Sequence, residues 1–236
     1  MSSPTLHAGE DKRNAMIAVE QALALQAELA AAVIRHDAFV DPVLRVTGVD
    51  VAYAADGERI VCAAVTLDAD TLAPIEIATA WGTADFPYVP GLFSFRELPI
   101  VLKALEQLRQ PPQLVVCDGQ GIAHPRRFGL ASHLGVVCDL PTIGCAKNRL
   151  IGTHDPLKDE RGSIALLVDA DETIGAVLRT QDGVRPIYAS IGHRIALDSA
   201  CGWILRLARD YRLPETTRAA DHAVRMALKE IEGPPS

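Results

Sequence analysis

The short apolar run at 114–117, which ends at Asp118, constrains the fold more than any other segment. Four consecutive apolar residues are typical of a strand that is buried on both faces, as in the centre of a parallel sheet. Ligand sites in open α/β sheets lie beyond the carboxyl ends of such strands, so Asp118 is expected to face a site. Upstream of this run, a three-stranded meander is predicted by strand-like segments at 45–53, 60–68 and 73–81.

The other segments alternate between helical and strand-like patterns. Spaced apolar residues predict helices at 14–37 and 95–109, and we expect Pro99 in the first turn of the second helix, with Glu97 at its start. Further along the chain we predict a helix at 127–135, strands at 142–146, 163–169, 173–180 and 185–190, and helices at 194–210 and 215–230. This order predicts an α/β fold, a mixed central sheet with flanking helices. One domain accounts for 236 residues, and the polar segment 1–13 is expected to be a flexible N-terminal tail.

Composition and charge narrow the class of protein. No apolar run reaches membrane-spanning length, so no membrane partner is expected. The five cysteines are odd in number, lack CxxC pairing and lie mostly in apolar runs, which indicates reduced core residues of a cytoplasmic protein. A net charge of −7 argues against indiscriminate coating of nucleic acid. Between 118 and 149, however, four basic residues outnumber two acidic ones, and this basic strip favours a site-directed enzyme.

Three carboxylates are candidates for one catalytic centre. Asp50 lies inside an apolar strand, where an unpaired carboxylate is costly to bury, although a salt bridge or an edge position would also explain it. Glu97 and Asp118 come from elements that neighbour this strand in the predicted sheet. Clustered carboxylates favour a hard cation such as Mg²⁺, with Mn²⁺ as a possible substitute, and such a site performs phosphoryl-transfer chemistry. Lys147 follows a short strand and could orient the attacking water or hold the scissile phosphate, unless it is an ordinary surface lysine.

A rigid loop carries the second candidate feature. Pro87 and Pro90 bracket Tyr88 and fix the backbone, so that the aromatic ring can project as a wedge into stacked bases; a core tyrosine under a turn is the alternative. Glycines nearby allow the backbone to approach a flipped base closely. Weaker candidates for phosphate, base or metal contacts are His124, His193, Arg194, Asp221 and Glu215.

Several motifs occur in one order along the chain: Gly48-Val49-Asp50, Pro87-Tyr88-Val89-Pro90-Gly91, Phe95-Arg96-Glu97, Asp118-Gly119-Gln120-Gly121, Arg127-Phe128-Gly129-Leu130 and the segment 144–150. Together they resemble the endonuclease V family over about residues 45–221. The resemblance implies a ribonuclease H-like fold, with residues 14–236 forming a single endonuclease domain. It also implies a Mg²⁺-dependent DNA repair enzyme that recognises deoxyinosine and hydrolyses the second phosphodiester bond on its 3′ side, leaving 3′-hydroxyl and 5′-phosphate ends.

The same resemblance assigns roles to residues. Asp50 and Asp118 would be metal ligands, Glu97 would act through a metal-bound water, Lys147 would assist at the phosphate and Tyr88 would be the wedge. The base pocket and nucleic-acid contacts would involve Pro87, Pro90, Gly91, Leu92, Gly119, Gly121 and His124. One departure from the family pattern is Thr216, where a proline is usual, and Asp221 is a possible additional acid.

Alternative functions differ in substrate or in chemistry. The same site could cleave inosine-containing RNA, or the chain could bind inosine without cutting, although retained acids argue against a pure binder. A small-molecule phosphohydrolase would leave the wedge and the basic strip without purpose. Because a nick beside the lesion does not remove the damaged base, other repair factors are expected as partners.

Overall fold

The structure is a computed structural model, which describes the backbone of residues 4–232 and the side chains of residues 16–230. Its helices are α1 (Pro4–Ala31), α2 (Phe93–Glu106), α3 (Leu130–Cys138), α4 (Leu197–Leu207) and α5 (Glu215–Glu232). Its strands are β1 (Arg45–Tyr53), β2 (Arg59–Asp68), β3 (Pro74–Thr83), β4 (Leu114–Asp118), β5 (Thr142–Ala146), β6 (Ile164–Asp169), β7 (Glu172–Leu178) and β8 (Ile187–His193). No described helix has the length and apolar character needed to cross a membrane.

All eight of these strands form one mixed sheet in the order β3-β2-β1-β4-β5-β8-β7-β6. The antiparallel meander β1–β3 is confirmed. β4 pairs in parallel with β1, and β5 pairs in parallel with β4. The last three strands are antiparallel to their neighbours. The predicted mixed sheet with flanking helices is therefore confirmed, and its parallel centre lies at β1, β4 and β5.

The central strand β4 is buried on both faces, as its apolar run predicts. Leu114 and Val116 pack into a core that includes α4, whereas Val115 and Cys117 pack into a second core that includes α2 and α3. The helix α5 covers β1 and β2 on the α4 side, through Val224 and neighbouring alanines. Helices on both faces leave the carboxyl ends of β1, β4 and β5 as the place where polar side chains can gather.

Most helix boundaries differ by a few residues from the sequence prediction, and those of α1, α3 and α4 show why. α1 starts at Pro4, so residues 4–13, which we expected in the flexible tail, are helical; residues 1–3 lie outside the described part of the chain. α1 also ends at Ala31 rather than at 37. α3 starts at Leu130 rather than at 127, because Arg127 has a left-handed φ of 55° and Gly129 is extended. α4 starts later for the same reason, since Arg194 has φ of 53°.

The helix α2 differs in a way that matters for the site. It starts at Phe93, so Pro99 is its seventh residue and lies in the helix interior rather than in the first turn. Pro99 lacks the N–H that would bond the carbonyl of Phe95, which weakens the helix locally. Glu97 is consequently the fifth residue of the helix and not its first.

Candidate active site

Two strands bring the aspartates together. In the parallel register of β1 and β4, Val49 lies opposite Cys117, so the next residues, Asp50 and Asp118, lie side by side at the carboxyl ends. Lys147 follows the adjacent strand β5, and its Nζ lies 2.5 Å from Oδ2 of Asp118. Sheet register therefore places Asp50, Asp118 and Lys147, which are distant in sequence, together at the carboxyl ends of the central strands, as the sequence predicts.

Helices supply two more carboxylates. Glu97 projects from α2 on one face of the sheet and is only 6% exposed, and Asp221 projects from α5 on the other face. Both line a cleft of about 500 Å³ together with Asp50, Asp118 and Lys147. Asp221 is held by Nη2 of Arg225 at 3.0 Å. Glu215, the rival candidate, pairs with Arg218 at 2.5 Å and does not line this cleft.

The electrostatics of the cleft show an excess of negative charge. Burial and the neighbouring charge of Asp118 raise the pKa of Asp50 to about 7. Burial and the charge of Asp50 raise the pKa of Glu97 to about 8. Burial would lower the pKa of Lys147, but its hydrogen bond and charge interaction with Asp118 raise it, so the lysine stays an ammonium ion. Lys147 thus faces a group of acids that repel one another.

This donor set fits a hard divalent cation. The cleft offers carboxylate oxygens, the ligands that such ions prefer, and the ion's charge would relieve the repulsion that raises the pKa values of Asp50 and Glu97. Within residues 16–230, no three His, Cys, Asp or Glu side chains are already gathered as a preformed metal site. The ammonium of Lys147 on Asp118 supplies part of the compensating charge instead.

A second cavity adjoins the cleft. It has a volume of about 540 Å³, within the range of small-ligand pockets, and it shares Glu97 and Asp118 with the cleft as part of its wall. Tyr88 lies at its rim and is 71% exposed. The predicted pocket residues that line it are Tyr88, Pro90, Gly91, Gly119 and His124. A group held in this pocket therefore lies beside the carboxylates.

Three predicted pocket residues lie elsewhere. Pro87 lines a separate cavity with Phe86 and Phe95. Leu92 is fully buried in the protein core. Gly121 packs against β8, where a Cβ atom would lie 1.9 Å from the carbonyl oxygen of Ile191.

The sequence interpretation missed several residues of this region. The pocket is also lined by Phe93, Ser94, Gln120, Arg126 and Leu150, and the cleft by Tyr53 and Arg225. Phe93 follows Leu92 directly, and only the geometry at the start of α2 decides which of the two faces the pocket. Arg126 belongs to the predicted basic strip, yet its Nε donates to the fully buried Gln26 of α1. Gln26 also donates to the carbonyl of Gly91 at 2.9 Å. The helix α1 therefore supports the loop that carries Tyr88.

The basic strip is only partly a surface feature. Arg127 forms ion pairs with Asp169 and Glu172 at 2.8 and 2.6 Å, which fix the loop after β4 to the β6–β7 turn. Lys147 lines the cleft with its side chain 38% exposed, and Arg149 is exposed two residues further along the chain. Of the four basic residues in the strip, only Lys147 therefore lines the carboxylate cleft.

The histidine candidates have different roles. Burial and the charges of Arg126 and Arg127 lower the pKa of His124 to about 4, so this pocket residue is neutral. Its Nδ1 accepts a hydrogen bond from the backbone N–H of Arg126 at 3.2 Å, which leaves a proton on Nε2. His193 accepts from the N–H of Ile34 at its Nδ1, and it lines neither cavity.

Two other candidates serve the fold. Arg194, like His193, binds the segment after α1 and Asp139, rather than a phosphate site. Thr216 is fully buried in the first turn of α5, and its carbonyl packs over Gly48 of β1, where a Cβ would come within 2.1 Å. The helix starts at Glu215 although the usual proline is absent.

Comparison with known proteins identifies the family. The endonuclease V family model matches residues 27–222. The endonuclease V of Streptomyces coelicolor is 55% identical over 212 residues, which cover 89% of this chain and 91% of that protein. The crystal structure of endonuclease V from Streptomyces avermitilis superposes with a TM-score of 0.87 at 53% identity, covering 91% of this chain and 94% of that one.

A more distant structure shows a complex. Endonuclease V of Ciona intestinalis, with a 24mer DNA that contains an inosine followed by a ribo-adenosine, has a TM-score of 0.80 and 28% identity, covering 90% of this chain and 98% of that one. The predicted ribonuclease H-like fold is confirmed by these superpositions. With a carboxylate cleft, a base-sized pocket and matches over most of its length, the chain belongs to the endonuclease V family of nucleases.

Proposed function

We propose that this chain is a DNA repair endonuclease that recognises deoxyinosine and hydrolyses the second phosphodiester bond on its 3′ side, with Mg²⁺ as cofactor. The observation that carries the proposal is the wall that the pocket and the carboxylate cleft share, formed in part by Glu97 and Asp118. A base held in one cavity places the following phosphates near the other. The inosine-containing DNA bound by the Ciona relative supports the same substrate.

Recognition uses the exposed loop and the pocket behind it. Tyr88 enters the base stack and helps to turn the deaminated nucleotide out of the duplex, at a cost of a few kcal/mol for unstacking. Gly91 and Gly119 let the backbone approach the base, and neutral His124 offers a donor at Nε2. Hypoxanthine lacks the exocyclic amine of guanine, so a close-fitting wall rejects guanine while it binds the edge that both bases share.

Chemistry uses the cleft. Asp50 and Asp118 would hold the metal ion, which supplies, when bound, an activated water and stabilisation of charge at the phosphate. Glu97, which lines the same cleft, would orient the attacking water. Lys147, fixed by Asp118, places its ammonium at the scissile phosphate. Together these groups leave a 3′-hydroxyl and a 5′-phosphate.

The setting of the enzyme is part of the proposal. All five cysteines are free, and four of them are buried, which supports a reducing, cytoplasmic compartment. Further repair factors would remove the lesion after the nick.

The test compares matched duplexes that differ in one position, deoxyinosine or adenine. With Mg²⁺ the inosine duplex should be nicked and the adenine duplex left intact, and EDTA should abolish the nick, with Mn²⁺ tested as a substitute. Binding without a nick in any metal would support a non-catalytic reader instead.

An inosine-specific ribonuclease is the second candidate, because the Ciona substrate has a ribonucleotide after the inosine. RNA and DNA strands of the same sequence decide between them. Cleavage of RNA alone would replace the DNA assignment, whereas cleavage of DNA at an equal or greater rate supports it.

Variants separate recognition from chemistry. Asp118→Asn should abolish cutting and keep inosine binding in EDTA, and full activity would refute the metal assignment. Tyr88→Ala should weaken inosine binding by about 5-fold or more, as expected for the loss of about 1–3 kcal/mol of base stacking. Tyr211→Ala, at a tyrosine that is also exposed but lines neither the pocket nor the cleft, is the matched control.

A further inference from the structure

Tyr53 lies beside the catalytic cleft without an assigned role. It is the last residue of β1, and along this strand Val49, Val51 and Tyr53 face the core formed with α2. Asp50 points to the other face of the same strand. Tyr53 therefore faces the helix that carries Glu97, and both side chains line the cleft.

The ring of Tyr53 is held in place by neighbouring groups. The ring of Phe93 lies 6.1 Å away, and the guanidinium of Arg96 lies 5.3 Å above the Tyr53 ring. Arg96 is itself fixed, since it donates to the carbonyls of Phe86 at 2.7 Å and Gly57 at 2.6 Å. Phe93 and Arg96 thus hold the ring of Tyr53 in place.

The hydroxyl group itself is buried and has no partner at ordinary hydrogen-bond distance within the described residues. A buried hydroxyl without a partner is costly, so we expect a nearby acceptor to receive a hydrogen bond from it. Glu97 is that neighbour. After burial, the charge of Glu97 is the largest cause that raises the pKa of Tyr53, to about 12.

Packing does not require the hydroxyl. A phenylalanine would fill the same space between Phe93 and Arg96 and would remove the unpartnered oxygen. The presence of tyrosine rather than phenylalanine at this position therefore indicates that the hydroxyl interacts with another group and is not needed for packing. Since the oxygen is closed to solvent, it can serve a protein group more readily than a DNA phosphate.

We infer that Tyr53 is a positioning residue: its hydroxyl donates a hydrogen bond to the carboxylate of Glu97 and fixes the direction of that carboxylate during cleavage. The inference rests on the proposed function, in which Glu97 orients the attacking water. Tyr53 touches neither the substrate nor the reacting atoms, and it acts on the reaction only through Glu97.

The first test is Tyr53→Phe, measured in single-turnover cleavage of inosine duplex with saturating Mg²⁺. The maximal rate should fall by about 10-fold or more, the equivalent of one hydrogen bond to a charged group, while inosine-DNA binding in EDTA stays within twofold. Tyr188→Phe, at a half-buried tyrosine of β8 outside the cleft, should change neither value. A Tyr53→Phe rate within twofold of wild type would overturn the inference.

The second test is a double-mutant cycle of Tyr53→Phe and Glu97→Gln, measured by urea unfolding in EDTA and without substrate. If the two groups interact, the effects on the unfolding equilibrium constant should depart from additivity by about 5-fold or more. Additive effects would mean that the hydroxyl does not contact Glu97 and would overturn the inference.

This cycle also separates the two claims. A wild-type protein that fails to cut inosine DNA would refute the proposed function, whereas the unfolding cycle still measures the contact between Tyr53 and Glu97. In the cleavage assay, Tyr53→Phe should cause no further loss of rate in the Glu97→Gln background. A further loss there would show that Tyr53 acts on another group.

Discussion

Replacing Asp50 with asparagine should stabilise the metal-free protein while abolishing cleavage. In the fold, burial and the charge of Asp118 raise the pKa of Asp50 from 3.8 to about 7. A carboxyl group with a raised pKa binds its proton more tightly when folded than when unfolded, so ionisation opposes folding. The protonated carboxyl of Asp50 therefore stabilises the folded protein relative to the ionised form. This stabilisation is fully present below pH 3.8, is lost as the pH rises from 3.8 to 7, and is absent above pH 7.

The magnitude follows from that rise in pKa. At 1.36 kcal/mol per pKa unit, an increase from 3.8 to about 7 corresponds to about 4 kcal/mol. Asp50 is half-buried, and solvent screening reduces the expected difference to about 2 kcal/mol. Because asparagine cannot ionise, Asp50→Asn should be more stable than wild type by this amount at pH 8 and nearly equal to it at pH 4.

Urea unfolding in EDTA at both pH values measures the difference directly. Asp56→Asn is the matched control, since hydrogen bonds from the side chain and backbone of Arg59 lower the pKa of Asp56 to about 2, so its loss should bring no gain at pH 8. Adding Mg²⁺ should stabilise wild type and not Asp50→Asn. An Asp50→Asn protein that is no more stable than wild type at pH 8 would refute the reasoning.

Four other substitutions test the packing of the fold and the roles of site residues. Gly48→Ala should lower the free energy of unfolding by about 2 kcal/mol, because its Cβ would lie 2.1 Å from the carbonyl oxygen of Thr216. Gly202→Ala, with open space around its Cβ, should instead stabilise the protein by about 0.5–1 kcal/mol in the same urea assay, and equal effects would contradict the structure. Lys147→Met should lower the maximal cleavage rate by about 100-fold with inosine binding retained, whereas a loss of binding alone would change its role to simple DNA contact. Gly91→Ala, at φ of 80°, should strain the loop that carries the wedge and reduce the inosine-to-adenine binding ratio, and an unchanged ratio would count against the loop's part in recognition.

The sequence predicts the sheet and the carboxylates better than the pocket wall. Apolar runs such as 114–117 and the position of Asp118 are local signals, and parallel register then places Asp50 beside it. The start of α2 is set by loop dihedrals that the pattern does not encode, so Phe93 rather than Leu92 faces the pocket. Gly121 turns toward β8 because of a long-range contact with Ile191, which no local motif predicts.

The hydrogen-bond and ion-pair partners of two arginines explain why the predicted basic strip is only partly a surface feature. Arg126 and Arg127 are basic in sequence and therefore belong to the predicted basic strip. In the fold, Arg127 pairs with Asp169 and Glu172, and Arg126 binds Gln26 of α1. The acceptors lie more than 40 residues away in the chain, so charge alone could not distinguish a structural arginine from a DNA contact.

The central claim is that a base held in the pocket directs the cut made in the cleft. Mapping the nick at nucleotide resolution, with an end-labelled duplex that contains one deoxyinosine and with Mg²⁺ present, tests this most directly. We expect a single cut at the second phosphodiester bond 3′ to the inosine, moving by one nucleotide when the inosine is moved by one. Cuts that are scattered, or that stay in place when the inosine moves, would contradict the account.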